Sequence, residues 1–206
     1  MSNELQRVEP PALPLAPNTY ERPFMDQNSS IIRLFFSRLI VMVSNVFAED
    51  NGGKFISFPY GIFYHTADQT ASNANTGYAV IFNRTRSSSG VSIVSNSRLT
   101  VTNDGVYLLK TSLQLESTNT ASKNVSVWVK KNGTDEVFSA HNYTITGNGT
   151  KDIANWNGSL VLSATDYVEI FWATDNTNVK LDGSSAASPR PAVASASVSI
   201  SFISNS

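Results

Sequence analysis

From Lys54 onward, apolar and polar residues alternate almost one for one. Near the C-terminus Ala194, Ala196, Val198, Ile200 and Phe202 fall on one side, and Ser195, Ser197, Ser199 and Ser201 on the other. A period of two places successive side chains on opposite faces, so this segment predicts a strand with one buried face and one polar face. Val125, Val127 and Val129 alternate with Ser126, Trp128 and Lys130 in the same way. Tyr107, Leu109, Thr111, Leu113 and Leu115 form a third set, and Val168, Ile170 and Trp172 a fourth. Further strands are predicted over 55–58, 61–66, 78–83, 91–95, 98–102, 136–146 and 152–162. Turn signals separate them: Asn103-Asp104-Gly105, Lys131-Asn132-Gly133, Gly147-Asn148-Gly149 and Ala164-Thr165-Asp166. Many short strands joined by polar turns, with no helix between them, predict an antiparallel sandwich or barrel over 54–206. No internal repeat is visible, which argues against a propeller or a β-solenoid.

Upstream the period changes. Residues 25–50 contain neither Pro nor Gly, and Asp26 is a candidate cap, so a helix is expected there. Ile32, Phe35, Leu39, Met42 and Val46 follow a 3-4-3-4 spacing, the seam of a coiled coil. Phe36, Ile40, Val43 and Phe47 form a second stripe beside it, and the combined face is too wide for a lone exposed helix. Two partners fit such a face, other copies of the same helix or the base of the globular unit; the preferred expectation is the first, with these five seam residues at the oligomer interface. Trp128, out of phase with the valines of its strand, is a further candidate for a subunit contact. The run 31–47 holds 12 apolar residues in 17, interrupted by Arg33 and Arg38. It falls short of the ~20 apolar residues of a bilayer span, so no membrane insertion is expected. Asn51-Gly52-Gly53 then supplies a turn out of the helix.

Residues 1–24 hold five of the eight prolines. Proline fixes φ and lacks a donor, so an extended arm is expected. Leu5, Val8, Leu13, Leu15, Tyr20 and Phe24 are spaced along it as apolar anchors, which fits an arm that docks on another protein. No basic stretch followed by an apolar run marks a targeting signal.

Composition narrows the chemistry. Charged residues are 15% of the chain, and 66 Ser, Thr and Asn residues take their place as the solvating surface. The net charge is −1, with no basic patch or high pI of the kind nucleic-acid binding requires. Cysteine is absent and there are two histidines, His65 and His141. Disulfides, thiolate zinc sites and cysteine nucleophiles are therefore excluded. Neither a Gly-x-Ser-x-Gly elbow nor a phosphate-binding loop occurs. Asp135-Glu136 and Asp166/Glu169 are the carboxylate pairs a glycosidase would need, but both read better as turn and edge charges. Asp175-Asn176-Thr177-Asn178 gathers oxygen ligands, too few by themselves for calcium. No catalytic residue, cofactor or metal is expected.

Three segments carry a resemblance. The turn and strand 97–109, with Gly105-Val106-Tyr107, the strand 127–133 ending in Lys131-Asn132-Gly133, and the hairpin 159–170 around Thr165-Asp166 resemble the jelly roll of the tumour necrosis factor and complement globular-head family. Thr165 stands where that family usually has Gly. The resemblance covers roughly residues 60–203 and implies a jelly-roll head. The whole chain also resembles virion structural proteins of tailed phages, particularly those of marine cyanobacteria. It does so through Tyr20-Glu21-Arg22-Pro23-Phe24-Met25-Asp26-Gln27, Arg33-Leu34-Phe35-Phe36, 63–70 and Ser188-Pro189-Arg190-Pro191-Ala192. That likeness implies a non-enzymatic homotrimer on the virion, as a tail fibre, head fibre or knob. Its arm would bind capsid or tail proteins, and its head a host glycan or protein. The alternative within the same likeness is a decoration protein that cements the shell.

Overall fold

The computed structural model describes residues 11–13, 15, 19–47 and 58–205, with the side chains of 44–47 excepted. Leu5 and Val8 lie outside the described residues, and so does the side chain of Val46. Two compact units are present, Met1–Ser57 and Phe58–Ser206.

The first unit contains one helix, α1 (Arg22–Phe47). It starts before the expected residue 25. The Met25 N–H donates to the Glu21 carbonyl at 3.2 Å, which makes Glu21 the first acceptor. Pro23 lies in the first turn, where its missing N–H has no intrahelical partner to lose and its fixed φ suits the helix. Arg22, Pro23 and Phe24 therefore belong to the helix and not to an extended arm. Asp26 is one turn inside it, 3.9 Å from Arg22, and is not the cap. Residues 48–50, also expected to be helical, lie outside the described residues.

The second unit is mainly β. Its strands are β1 (Tyr60–His65), β2 (Gln69–Thr70), β3 (Tyr78–Ala79), β4 (Arg84–Ser89), β5 (Val91–Val94), β6 (Arg98–Val101) and β7 (Gly105–Ser117). They continue with β8 (Lys123–Lys131), β9 (Thr134–Asp135), β10 (His141–Ile145), β11 (Thr150–Leu162), β12 (Tyr167–Thr174), β13 (Val179–Leu181) and β14 (Ala196–Ser204). One sheet runs β4-β1-β14-β7-β11, with β13 and β2 continuing beside the far half of β7. The other runs β10-β8-β12-β6-β5, with β3 on β12 and β9 on β8. Every pairing between these strands is antiparallel. From β6 onward the chain repeatedly crosses between the two sheets, which is the winding of a jelly roll.

The alternating sets face inward as expected. Tyr107, Leu109, Leu113 and Leu115 meet Val125, Val127, Val129, Val168, Ile170 and Trp172 in one core. β7 is its spine, paired along its full length with β11, from Thr150↔Ser117 to Leu162↔Gly105. Gly105 allows the close approach of β14: a Cβ there would lie 2.4 Å from the Phe202 ring. Two turns fit their residues. Asn132 and Gly133 both have positive φ (51° and 82°), the requirement of a two-residue hairpin turn whose twist matches its strands. Thr165 takes φ 74°, a left-handed position that explains why glycine would suit it better.

Two strand expectations need correction, and one exposed strand went unread. The strand expected over 136–146 is confined to His141–Ile145, because residues 136–139 form a turn. The strand expected over 78–83 is only Tyr78–Ala79. β4, Arg84–Ser89, was not expected. All its side chains are exposed at the rim of the sheet, so no alternation marks it.

Candidate functional site

The helix carries a row of exposed apolar side chains. Ile32, Phe35, Leu39 and Met42 are half-buried and lie along one line, as their spacing predicts. Beside them Leu34, Phe36, Ile40, Val41 and Val43 are 42–62% exposed. The Phe35 and Phe36 rings meet edge to face, with centroids 5.6 Å apart. Nearer the N-terminus Leu15 is 95% exposed, and Leu13 and Tyr20 are also exposed. Phe24, assigned to the arm, is half-buried on the helix.

On the head, one turn stands out. Phe138 is fully exposed, 100%, and Val137 beside it 77%. Phe138 also has φ 60°, a conformation that costs a residue with a Cβ roughly 1–2 kcal/mol. The turn is held from both sheets. The Glu136 N–H donates to the Val129 carbonyl at 2.9 Å, and the Val129 N–H to Ser139 Oγ at 3.2 Å. Trp156 Nε1 donates to the Ser139 carbonyl at 2.6 Å from the opposite sheet. Trp156, which the sequence left without a role, is thus a buried clamp. The turn keeps a strained aromatic in water, with its flanking backbone tied to both sheets. Sequence reasoning assigned 136–146 to one strand and so missed this feature. The signal available was Glu136-Val137-Phe138, two apolar residues in succession that break the alternation.

Trp128 lies on the outer face of its sheet, as its phase predicts. It packs against Phe171, centroids 5.7 Å apart, and its Nε1 donates to Asp135 at 2.7 Å. Lys130 sits over the same Phe171 ring at 4.5 Å and 3.4 Å from Asp135. All these contacts are within the chain, and they fasten β9 onto β8. A shallow cleft of about 370 Å³ lies on the other sheet beside Ile62, Tyr64, Arg86 and Val193.

The carboxylate pairs have structural partners. Asp166 accepts from Asn132 Nδ2 at 2.7 Å and the Ser163 N–H at 2.9 Å, with Lys131 at 3.1 Å. These bonds, the Asn132 one foremost, hold its carboxyl below the usual range. Glu169 is buried between Ser97 Oγ, 2.6 Å away, and Arg98 Nε, 3.7 Å away. Asp175 accepts from the Asn124 N–H and side-chain amide, and Asn176 Oδ1 from the Asn178 N–H. That segment is a self-bonded polar turn. Among the described residues no group of three His, Cys, Asp or Glu side chains is placed to hold a metal. Burial pushes the His65 imidazole below its ordinary value.

The densest charge cluster is on the β2–β13–β7–β11 face. Lys180 Nζ donates to Asp68 at 2.7 Å and to Glu116 and Asp182 at 3.0 Å each. Lys151 reaches Asp182 and Glu116 as well. Burial works to raise the Asp182 carboxyl, but hydrogen bonds from Lys151 and Lys180 overcome it and bring it down to about 2. A folded value below the unfolded one stabilises the fold above the unfolded range, and that contribution is lost as pH falls through the folded value. We therefore expect the head to lose on the order of 2 kcal/mol between about pH 4 and pH 2 from Asp182. Urea midpoints at pH 5, 3 and 2 check this. Asp182→Asn must flatten that part of the curve; an unchanged acid slope in the variant contradicts the assignment.

No family model matches the chain, and no curated protein matches it. Solved structures do. The globular domain of zebrafish complement 1qA protein is 12% identical over 72% of this chain and 99% of its own, with a TM-score of 0.46. A crystal structure of murine APRIL at pH 8.5 is 11% identical over 71% of this chain and 100% of its own, TM-score 0.47. A second, at pH 5.0, gives 12%, 71%, 100% and 0.48.

Proposed function

We propose that the chain is a non-enzymatic homotrimeric virion surface protein of the tailed-phage kind. In this reading α1 joins three copies, the N-terminal arm docks on a capsid or tail protein, and the jelly-roll head meets the host surface. The observation that carries it is the helix. Phe36, Ile40 and Val43, all large and apolar, lie exposed beside a half-buried seam. A helix with so wide an apolar face is made for partners, since burying one such side chain contributes ~1.5–3 kcal/mol. The head supplies the second half of the reading. Phe138 is held in water at a cost in strain, a pattern that points to function more than stability. One protruding aromatic binds weakly. Three per trimer and many trimers per particle raise avidity by ~10²–10⁴.

The test is Phe138→Gly. Relief of the left-handed strain and the greater freedom of an unfolded glycine nearly cancel, so head stability should stay within about 1 kcal/mol. Particles carrying the variant should adsorb to host cells at a small fraction of the wild-type rate. Particles carrying Val94→Ser, a change at another exposed apolar side chain, should adsorb normally. Normal adsorption of the Phe138 variant would refute the attachment role.

A second reading is favoured by the exposed Leu15 and Tyr20. If their docking is the whole function, the protein cements the shell. Particles lacking the protein then break at lower temperature yet still adsorb.

A further inference from the structure

The helix seam contains one polar residue. Met25, Asn28, Ile32, Phe35, Leu39, Met42 and Val46 share a single alternation of three and four, so Asn28 occupies a seam position. It is half-buried, and its Oδ1 is buried with no hydrogen-bond partner among the described residues. An amide offers both donors and an acceptor. The apolar residues that continue the seam offer neither. An identical amide from another copy offers both.

We infer that Asn28 is the polar layer that fixes a parallel, in-register bundle of identical helices, each Asn28 side chain donating to the carbonyl oxygen of the next copy. This rests on the oligomer proposed above and adds its direction and register. The apolar residues cannot choose the direction. An antiparallel pairing sets Phe35 opposite Leu39 and Ile32 opposite Met42, layers that pack as readily as the parallel ones. It also sets Asn28 opposite Val46, where the amide is buried against an alkyl group. A buried amide left without a partner is costly, whereas a paired one is nearly neutral. Asn28 therefore penalises the antiparallel bundle specifically, as a single polar seam residue does in coiled coils. In the parallel bundle every chain leaves its helix at the same end.

The absence of cysteine makes single substitutions unambiguous reporters. Full-length Ile32→Cys and Met42→Cys variants, which keep Asn28, are each oxidised mildly and analysed without reductant. In the parallel bundle each forms a disulfide-linked dimer by itself. An assembly, verified by sedimentation, in which neither links alone but a mixture of the two does, is antiparallel and overturns the inference. A monomer in sedimentation overturns the oligomer itself, and the register with it. A second measurement asks whether Asn28 is the cause. Mass-labelled Ile32→Cys and Met42→Cys chains, mixed, cross-link to each other only when antiparallel. That product should be scarce with Asn28 present and rise by roughly tenfold or more in an Asn28→Ile background, the discrimination expected of one buried amide. No rise means that Asn28 does not set the direction.

Discussion

On the trimer proposed above, aspartate at both Phe35 and Leu39 should reduce the assembly from three chains to single chains of 22.4 kDa. Both side chains are half-buried in α1 and centre the seam. Each contributes ~1.5–3 kcal/mol when fully covered, and the substitution removes both from every copy. The replacement also brings carboxylates together around one axis in an apolar layer, where an unpaired charge is strongly disfavoured. The head is a separate compact unit with its own core, so its β-sheet circular dichroism should not change. Leu34 and Val41 supply the control. They project away from the seam and are 53% and 60% exposed, so aspartate at these two positions should leave the mass unaltered. Sedimentation of both double variants decides the matter. A Phe35/Leu39 variant that still sediments as the wild type does would show that the seam does not hold the copies together.

Lys180→Met should cost the head about 2–4 kcal/mol, the largest loss expected from any single charge. The ammonium group meets three carboxylates, those of Asp68, Glu116 and Asp182, at 2.7–3.0 Å. Its side chain is 24% exposed and that of Asp182 only 6%. Once the charge is gone, Asp182 and Glu116 keep only the more exposed Lys151, and their mutual repulsion is only partly offset. Removing one partner of a buried pair costs more than the pair itself contributes, because the remaining charge stays desolvated. For a domain of this size the loss corresponds to a fall in Tm of roughly 5–12 °C. The pH dependence identifies the cause. Lys180 is raised above its ordinary value by its hydrogen bonds to Asp68, Asp182 and Glu116. Its contribution is therefore complete below the unfolded lysine range and is lost only as pH rises through the folded value. At the acid end the Asp182 carboxyl becomes neutral as pH falls through about 2, so the gap between wild type and Lys180→Met should shrink there. A Tm within 1 °C of wild type at pH 7 would show that solvent, not Lys180, balances these carboxylates.

How far each feature could be read from the chain follows from how local its cause is. The valines of β8, the Tyr107–Leu115 face of β7 and the Val198–Ile200 face of β14 are buried as their alternation required, because a strand has no other way to place successive side chains. The Asn132-Gly133 turn needs only its two residues to accept positive φ. The α1 seam likewise lies along one line of half-buried residues. β4 escaped because both its faces are exposed, and Arg84–Ser89 then carries no periodicity. The Phe138 turn escaped because its anchors, Val129 and Trp156, come from different sheets. The start of α1 at Arg22 escaped because Pro23, read as part of an extended arm, is equally suited to the first turn of a helix.

The sequence by itself determined that a helix precedes a cysteine-free, two-faced β unit, since periodicity and turn residues act within a few positions of one another. Only the tertiary structure decided which strands are neighbours, that Trp156 grips the Phe138 turn, and that Lys180 gathers Asp68, Glu116 and Asp182. The Lys180–Asp68 contact alone joins residues 112 positions apart. Nothing in a local pattern encodes such partners. They meet because the two sheets can bury their apolar faces only against each other, and in doing so bring distant edges and charges into reach.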